Sequence, residues 1–330
     1  EQEKIDAIIA KIDADPEDPE LKRVERNMWE NIRHKTGEGR RTGIGITAEG
    51  DMLAALGLRY GTDEATEFSV NVHRTLAIEA YRASTNMAEE RGAFPIYSAE
   101  REKNNPFISR LREADPGMVE VMESKGRRNI ALLTIAPTGS TSLMSQTTSG
   151  IEPVFMPYYK RRRKVNPNDK DVKVTFVDEV GDCWEEFVVF HHKFIDWMKV
   201  NGYKYEEVKE MTETQLNDIV SASPYDKATA NDVDWVAKVR MQGAIQKWVD
   251  HSISVTINLP AEAKEELVSE LYLTAWKEGC KGATVYRDGS RAGVLVSNSK
   301  EEKKGDWSPL RPKVLEADVI RFQNNEEKWI

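Results

Sequence analysis

A run of small and hydroxylated residues is the strongest candidate for chemistry in this chain: Ala136-Pro137-Thr138-Gly139-Ser140-Thr141-Ser142. It follows a β-rich run, Asn129 to Ile135, and precedes a predicted helix. Small residues let a backbone approach an anion closely, and hydroxyls with free N–H groups at a helix start bind phosphate oxygens, helped by the helix dipole. The run matches neither a Walker A loop nor a dinucleotide-binding fingerprint. It predicts a phosphate site, with a capped strand-to-helix turn as the alternative.

A strand with alternating side chains is the second candidate. From Ser252 to Leu259, apolar residues occupy one face and hydroxyls and an amide occupy the other. A helix from about Ala261 to Glu278 and a second strand from Gly282 to Tyr286 follow, and this order predicts a parallel pair. The parallel context favours a partly polar interior, while a solvent-facing strand is the alternative. Tyr286 ends its strand, where α/β folds carry sites, so we expect it as a candidate barrel-site residue.

Cysteine and histidine positions argue against a metal site or a disulfide framework. The only two cysteines, Cys183 and Cys280, lie far apart, which fits a reducing cytoplasm. The five histidines form no pair at helical metal-ligand spacing. We therefore expect no metal, and we expect Cys280, which lies beside a helix end, to be structural.

The composition excludes several classes of protein. The 330 residues are 39% hydrophobic and 31% charged, which is typical of a globular chain. No apolar run reaches the ~18 residues that a membrane span needs, and the first residues do not resemble a signal peptide. A net charge of -9 disfavours general nucleic-acid binding, despite the basic run Lys160 to Lys164.

Several elements that must position these residues can be predicted. Apolar residues recur at helical spacing from Thr62 to Arg91, with Thr62 as the N-cap. Helices are also expected on both sides of an acidic turn at Asp13 to Pro19. Another helix is expected from Asn231 to Val249, with Asn231 as its cap. Alternating glycines from Gly39 to Ile46 predict a buried strand or a close approach of two backbones.

The rest of the chain predicts a hairpin and a change of composition. Residues 160 to 190 alternate as a β-hairpin does, with Gly181 and Asp182 as the turn. From about Asn298 the chain becomes rich in lysine and glutamate. We expect a main unit over residues 1–296, a charged linker over 297–311, and the start of a small domain over 312–330.

Three stretches together resemble the large chain of ribonucleotide reductases: Arg127 to Phe155 (RRNIALLTIAPTGSTSLMSQTTSGIEPVF), Trp248 to Pro260 (WVDHSISVTINLP) and Lys281 to Arg291 (KGATVYRDGSR). Glu89 to Tyr97 and Arg40 to Leu58 also look like that family, in the same order and spacing. The likeness covers roughly residues 1 to 296.

The resemblance implies an α/β fold, the carboxy-terminal portion of a ten-stranded barrel made of two parallel five-stranded halves. It implies a reaction that replaces the ribose 2′-hydroxyl with hydrogen. In that reaction a thiyl radical takes the 3′-hydrogen and a cysteine pair supplies the reducing equivalents. It further implies that Pro137, Thr138, Gly139, Ser140 and Thr141 hold the substrate phosphates, in agreement with the interpretation of the residues themselves.

The sequence departs from the family in one decisive motif. The finger-loop sequence Asn-Pro-Cys-Gly-Glu, which carries the radical cysteine, is absent, and neither cysteine has matching surroundings. The family places that motif, and a nucleotide-binding regulatory region, upstream. We therefore expect no radical cysteine in this chain and expect it to work with the upstream half of the same reductase.

The segment from Thr284 to Arg287 indicates the class. Class I large chains have two adjacent tyrosines here, which relay a radical from a second subunit, whereas this chain has Tyr286 followed by arginine. The sequence of this segment resembles that of class II enzymes, which make their radical from adenosylcobalamin. A class I fragment, an inactive remnant that associates with a reductase, and a phosphate-binding α/β module are the alternatives.

The resemblance also implies partners. We expect a ribonucleotide substrate, an external thiol reductant such as thioredoxin, and further copies of the completed enzyme. Neither a nucleic acid nor a membrane is expected as a partner.

Overall fold

The computed structural model describes residues 2–165, 174–177 and 182–290, and the backbone of 322–324 and 327–329. The chain divides into two compact units, residues 1–293 and 294–330. The proposed linker over 297–311 and residues 312–321 of the expected small domain lie outside the described residues. The boundaries proposed at 296 and 311 therefore stay predictions.

Helices make up most of the first unit. In the described part of the chain they are α1 (Gln2–Ala14), α2 (Pro19–Gly39), α3 (Glu49–Ala55), α4 (Asp63–Arg91), α5 (Ala99–Glu102), α6 (Pro106–Ala114), α7 (Pro116–Lys125), α8 (Gly139–Ser145), α9 (His192–Val200), α10 (Tyr205–Val208), α11 (Glu213–Ser221), α12 (Trp235–Gln246) and α13 (Glu265–Lys277). The predicted helices on both sides of the acidic turn are confirmed as α1 and α2.

Among the described residues the strands form three small sheets. They are β1 (Tyr158–Lys164), β2 (Phe176–Val177), β3 (Cys183–Phe190), β4 (Thr256–Leu259), β5 (Thr284–Arg287), β6 (Phe322–Asn324) and β7 (Glu327–Trp329). β3 pairs antiparallel with both β1 and β2, which confirms the predicted hairpin, while its turn residue Gly181 lies outside the described residues. In the second unit β6 pairs antiparallel with β7.

Four chain segments lie side by side and parallel in the first unit. Ile44 bridges Leu133, and Ile135 bridges Ile253. β4 pairs directly with β5, and helix α13 connects these two strands along the chain. Backbone hydrogen bonds support the two bridges, among them 2.7 Å from Ile44 N to Leu132 O. The predicted parallel strand–helix–strand unit is therefore confirmed, and it continues into two further segments.

One face of this parallel arrangement is packed into the hydrophobic core. The apolar residues of the alternating run are all buried: Ile253, Val255, Ile257 and Leu259. Of the polar residues between them, Ser252 and Ser254 are exposed, and Thr256 and Asn258 are half-buried. The alternation predicted from the sequence is thus confirmed, and the polar face is open in the described part of the chain.

Helix α4 begins and ends as its sequence predicts. The Thr62 hydroxyl accepts a hydrogen bond from Ala65 N, and Gly92 follows the last turn. The predicted cap at Asn231 is wrong, because α12 begins at Trp235 with Asp234 as its N-cap. Asp232 explains the difference: its carboxylate accepts hydrogen bonds from the backbone and the hydroxyl of Thr229, which holds a separate turn before the helix.

We expect Lys238 of α12 to make the stability of this unit depend on pH. Its Nζ donates to Thr256 O at 2.6 Å, and burial lowers its pKa to about 8, against a smaller opposing effect of Glu152. The pKa of the unfolded state is higher, so between about pH 8 and 10.5 the unfolded chain binds more protons and this contribution to stability rises with pH.

We expect the variant Lys238→Met to lose this pH dependence. The free energy of unfolding of the wild type should gain about 2 kcal/mol on the variant between pH 7.5 and pH 10. Urea unfolding at both pH values, followed by circular dichroism, measures the difference. Parallel pH profiles for the two proteins would contradict the assignment.

Candidate phosphate-binding site at the carboxyl end of the sheet

The parallel segments bring several polar residues to one edge. Because parallel strands end on the same side, the residues that follow them meet at the carboxyl edge, where α/β folds place their sites. Thr47 follows the Ile44 segment, the Pro137–Ser142 run follows Ile135, and Asn258 and Tyr286 are direct partners near the ends of β4 and β5. The fold thus brings the Pro137–Ser142 run and the ends of the candidate strand pair to the same edge of the sheet.

The Pro137–Ser142 run turns sharply into helix α8. Thr138 has a left-handed backbone, with φ 51° and ψ 21°, and no side chain caps the helix that follows. The N–H groups of Gly139, Ser140 and Thr141 belong to the first turn, where a helix offers no internal acceptor. These three donors lie on an exposed turn, and a Cβ placed on Gly139 would meet nothing within 4 Å.

The hydroxyls of this run divide into two groups. The Thr138 hydroxyl accepts a hydrogen bond from Gly150 N at 2.8 Å and contacts the Thr47 hydroxyl at 3.1 Å. The Ser142 hydroxyl donates to Gly139 O and contacts the Ser149 hydroxyl. Ser140 and Thr141 are exposed. The structure thus directs two hydroxyls inward and leaves the other two at the surface.

This geometry changes the source of the expected attraction for phosphate. The sequence interpretation gave weight to the helix dipole, but α8 has only seven residues. Three backbone N–H groups and the exposed hydroxyls of Ser140 and Thr141 remain as donors along the turn. Such a set can bind the oxygens of a phosphate group without any charged side chain.

Asp51, which sequence analysis missed, supports the far side of the loop. Its buried carboxylate accepts hydrogen bonds from Thr148 N at 2.8 Å, from His191 Nε2 at 2.7 Å and from the Tyr225 hydroxyl at 3.3 Å. Burial, together with the Asp51 carboxylate, raises the pKa of the Tyr225 phenol. Asp51 therefore joins α3, the end of the loop and the end of β3, which are remote in sequence.

Neither cysteine belongs to this edge by its contacts. Cys183 opens β3 in the hairpin, and the Cys280 thiol contacts Val239 O at 3.8 Å. Burial raises the pKa of Cys280 to about 11, so this thiol stays protonated at neutral pH. Across residues 2–165, 174–177 and 182–290 no three cysteine, histidine or carboxylate side chains are grouped as metal ligands. Within the same ranges no helix is both long and apolar enough to span a membrane.

Parallel segments backed by helices, with a loop of free N–H groups and hydroxyls at their carboxyl edge, are typical of an α/β fold that carries its site there. Residues 21–286 match the family described as "Ribonucleotide reductase, barrel domain". The chain belongs to this family, which confirms the resemblance found in the sequence and the expected fold.

Similar proteins agree with the assignment. A vitamin B12-dependent ribonucleoside-diphosphate reductase from Mycobacterium tuberculosis is 31% identical over 260 residues, which are 79% of this chain and 33% of that protein. Its counterpart from Thermoplasma acidophilum is 31% identical over 282 residues, 83% of this chain and 32% of the relative. The chain therefore spans about a third of the length of these relatives.

A solved structure shares the fold. The class Id ribonucleotide reductase alpha subunit of Actinobacillus ureae superposes with a TM-score of 0.54 at 16% sequence identity, over 86% of this chain and 44% of that subunit. At this identity the likeness concerns the fold alone.

Proposed function

We propose that this chain supplies part of the barrel of an adenosylcobalamin-dependent ribonucleotide reductase, which converts ribonucleotides to 2′-deoxyribonucleotides. The loop at the carboxyl edge carries the proposal, because its free N–H groups and exposed hydroxyls follow a parallel segment of a chain that belongs to the reductase barrel family. In the reaction, a ribonucleotide and two thiols give a deoxyribonucleotide, water and a disulfide. The names of the relatives, which are vitamin B12-dependent reductases, favour this class over class I.

The role of the loop is to hold the phosphates of the substrate. The backbone N–H groups of Gly139, Ser140 and Thr141 donate to phosphate oxygens, as do the hydroxyls of Ser140 and Thr141. Pro137 and Thr138 shape the turn. This fixes one end of the nucleotide at the sheet edge and leaves its ribose over the open polar face. Tyr286, opposite Asn258 in the ladder, lies at that edge and is the proposed barrel-site residue.

A second polypeptide segment must bring the radical cysteine. Cys280 is protonated and packed against α12, and Cys183 lies in the hairpin. Two observations support an interaction at the open side of the fragment. Leu143 and Met144 of α8 are 81% and 87% exposed beside the loop. In the part of the chain that the structure describes, the Ile44 segment and β5 each have one strand neighbour only.

Adenosylcobalamin would supply the radical when bound. Two cavities among the described residues, one beside Glu30 and Ile96 and the other beside Trp235 and Leu267, do not include the phosphate loop, so no described residue is assigned to hold the cofactor. The need for adenosylcobalamin is therefore tested directly, and this chain's own contribution is binding and orienting the nucleotide.

The test is deoxyribonucleotide formation by this chain mixed with the polypeptide that carries the finger-loop motif, with and without adenosylcobalamin and with a dithiol or thioredoxin as reductant. We expect turnover only when both polypeptides and the cofactor are present. Turnover without adenosylcobalamin would move the chain to class I. A folded complex without turnover under any condition would make the chain an inactive remnant.

A further inference from the structure

One hydroxyl, that of Thr47, contacts three parts of the phosphate loop. It lies 3.2 Å from Thr148 O, 3.3 Å from Gly150 N and 3.1 Å from the Thr138 hydroxyl. Thr47 is half-buried and lies 91 positions from Thr138 in sequence. It therefore ties the two ends of the loop to the end of the neighbouring parallel segment.

The protons of this group can be assigned from its geometry. Thr47 has one hydroxyl proton, and the Thr148 carbonyl can only accept, so Thr47 donates to Thr148 O. The Thr138 hydroxyl then donates to Thr47 Oγ1, and the Gly150 N–H is shared between Thr138 Oγ1 at 2.8 Å and Thr47 Oγ1 at 3.3 Å. Every donor in the group is used, so neither hydroxyl has a proton left for a ligand.

The backbone of Thr138 shows why the loop needs this support. A β-branched residue with φ 51° is strained, and such a conformation persists only when the surroundings hold it. The contacts of Thr138 that are made by its side chain go to Thr47 and Gly150. Without Thr47, the turn is free to relax, and the N–H groups of Gly139 to Thr141 lose their common direction.

We propose that Thr47 is a positioning residue, which holds the loop from Thr138 to Gly150 in the shape that binds the phosphates of the nucleotide. The proposal rests on the proposed function, since it concerns the same site. Thr47 does not touch the ligand itself. Its loss weakens phosphate binding while the reacting end of the nucleotide, and so the chemical step, is little affected.

The test compares Thr47→Val with Thr47→Ser in the reductase assembled from this chain and the polypeptide that completes it. For Thr47→Val we expect KM for the ribonucleotide and the inhibition constant of inorganic pyrophosphate to rise together, about tenfold, with kcat within about twofold. Thr47→Ser keeps the hydroxyl and should stay near the wild type. Thr75→Val, which removes an exposed hydroxyl bonded to Asn71 O on α4, is the matched control and should change nothing.

A double-mutant cycle tests the route through Thr138. Glycine adopts the left-handed turn without strain, so in a Thr138→Gly background Thr47→Val should have a smaller effect than in the wild type, and what remains comes from its contacts with Thr148 and Gly150. This comparison of binding also remains valid if Thr47→Val assembles poorly. Additive effects in the cycle, or a Thr47→Ser variant as impaired as Thr47→Val, would overturn the proposal.

The double variant Ser140→Ala with Thr141→Val separates this inference from the function on which it rests. A raised KM and a raised pyrophosphate constant in that variant, with no change in Thr47→Val, would overturn the role of Thr47 and leave the phosphate site intact. Unchanged constants in both would overturn the phosphate site and the role of Thr47 with it.

Discussion

The variant Gly45→Ala should fail to fold. A Cβ at this position would overlap the backbone carbonyl oxygen of Thr134 and lie 3.2 Å from its carbonyl carbon. The obstacle is backbone, which cannot rotate away as a side chain can. The same backbone makes the hydrogen bond from Thr134 N to Ile44 O at 2.9 Å, so relieving the overlap separates two of the parallel segments.

The expected cost of Gly45→Ala is about 4 kcal/mol or more, a large part of the stability of a domain. Soluble yield and the near-ultraviolet circular dichroism of the chain, produced together with its completing polypeptide, measure the effect. Gly282→Ala is the matched control, because a Cβ there meets nothing within 4 Å. A Gly45→Ala protein with native dichroism and yield would show that the two backbones do not approach as described.

Local patterns made much of this fold predictable. The close backbone approach expected from the alternating glycines is found at Gly45, and the cap of α4 is found at Thr62. The alternation from Ser252 to Leu259 was equally predictable, and so was the parallel pairing of this strand with the next one. In each case the signal lies within one element or in the order of neighbouring elements along the chain, so no knowledge of distant contacts was needed.

The supports of the site could not be predicted in this way. Thr47 contacts residues about a hundred positions away, and Asp51 reaches His191 and Tyr225, 140 and 174 positions away. The buried pair of Glu49 and His73 could not be predicted from residue spacing either. Its Oε2 and Nε2 atoms lie 2.8 Å apart. Such residues are polar side chains whose partners become known only when the parallel segments are aligned.

Asp250 lies at the opposite edge of the sheet, and its substitution should have the second large effect. Its carboxylate accepts hydrogen bonds from Leu132 N and Leu133 N, both at 2.8 Å, and from the Tyr81 hydroxyl at 2.6 Å. Asp250 precedes the Ile253 segment, so it lies at the amino ends of the strands, where barrel residues serve stability rather than catalysis. Burial and the nearby Asp250 carboxylate raise the pKa of Tyr81, which stays a neutral donor.

We expect Asp250→Ala to lower the free energy of unfolding by about 3 to 5 kcal/mol, because two buried backbone N–H groups and a buried phenol lose their acceptor. Asp250→Asn should recover only part of this loss, since its amide nitrogen faces a donor. Tyr81→Phe, which removes one of the three bonds, should cost about 1 kcal/mol. Urea unfolding of the assembled protein measures all three changes.

The same Asp250 variants should leave KM for the ribonucleotide and the pyrophosphate inhibition constant unchanged in the fraction of protein that remains folded. Thr47→Val should do the reverse, with a small loss of stability and a large change in KM. The two substitutions therefore separate the two edges of one sheet, because the carboxylate at the amino edge fixes the strands and the hydroxyl at the carboxyl edge fixes the loop. A change of KM in Asp250→Asn equal to that in Thr47→Val would mean that the loop depends on the alignment of the whole sheet rather than on its own contacts.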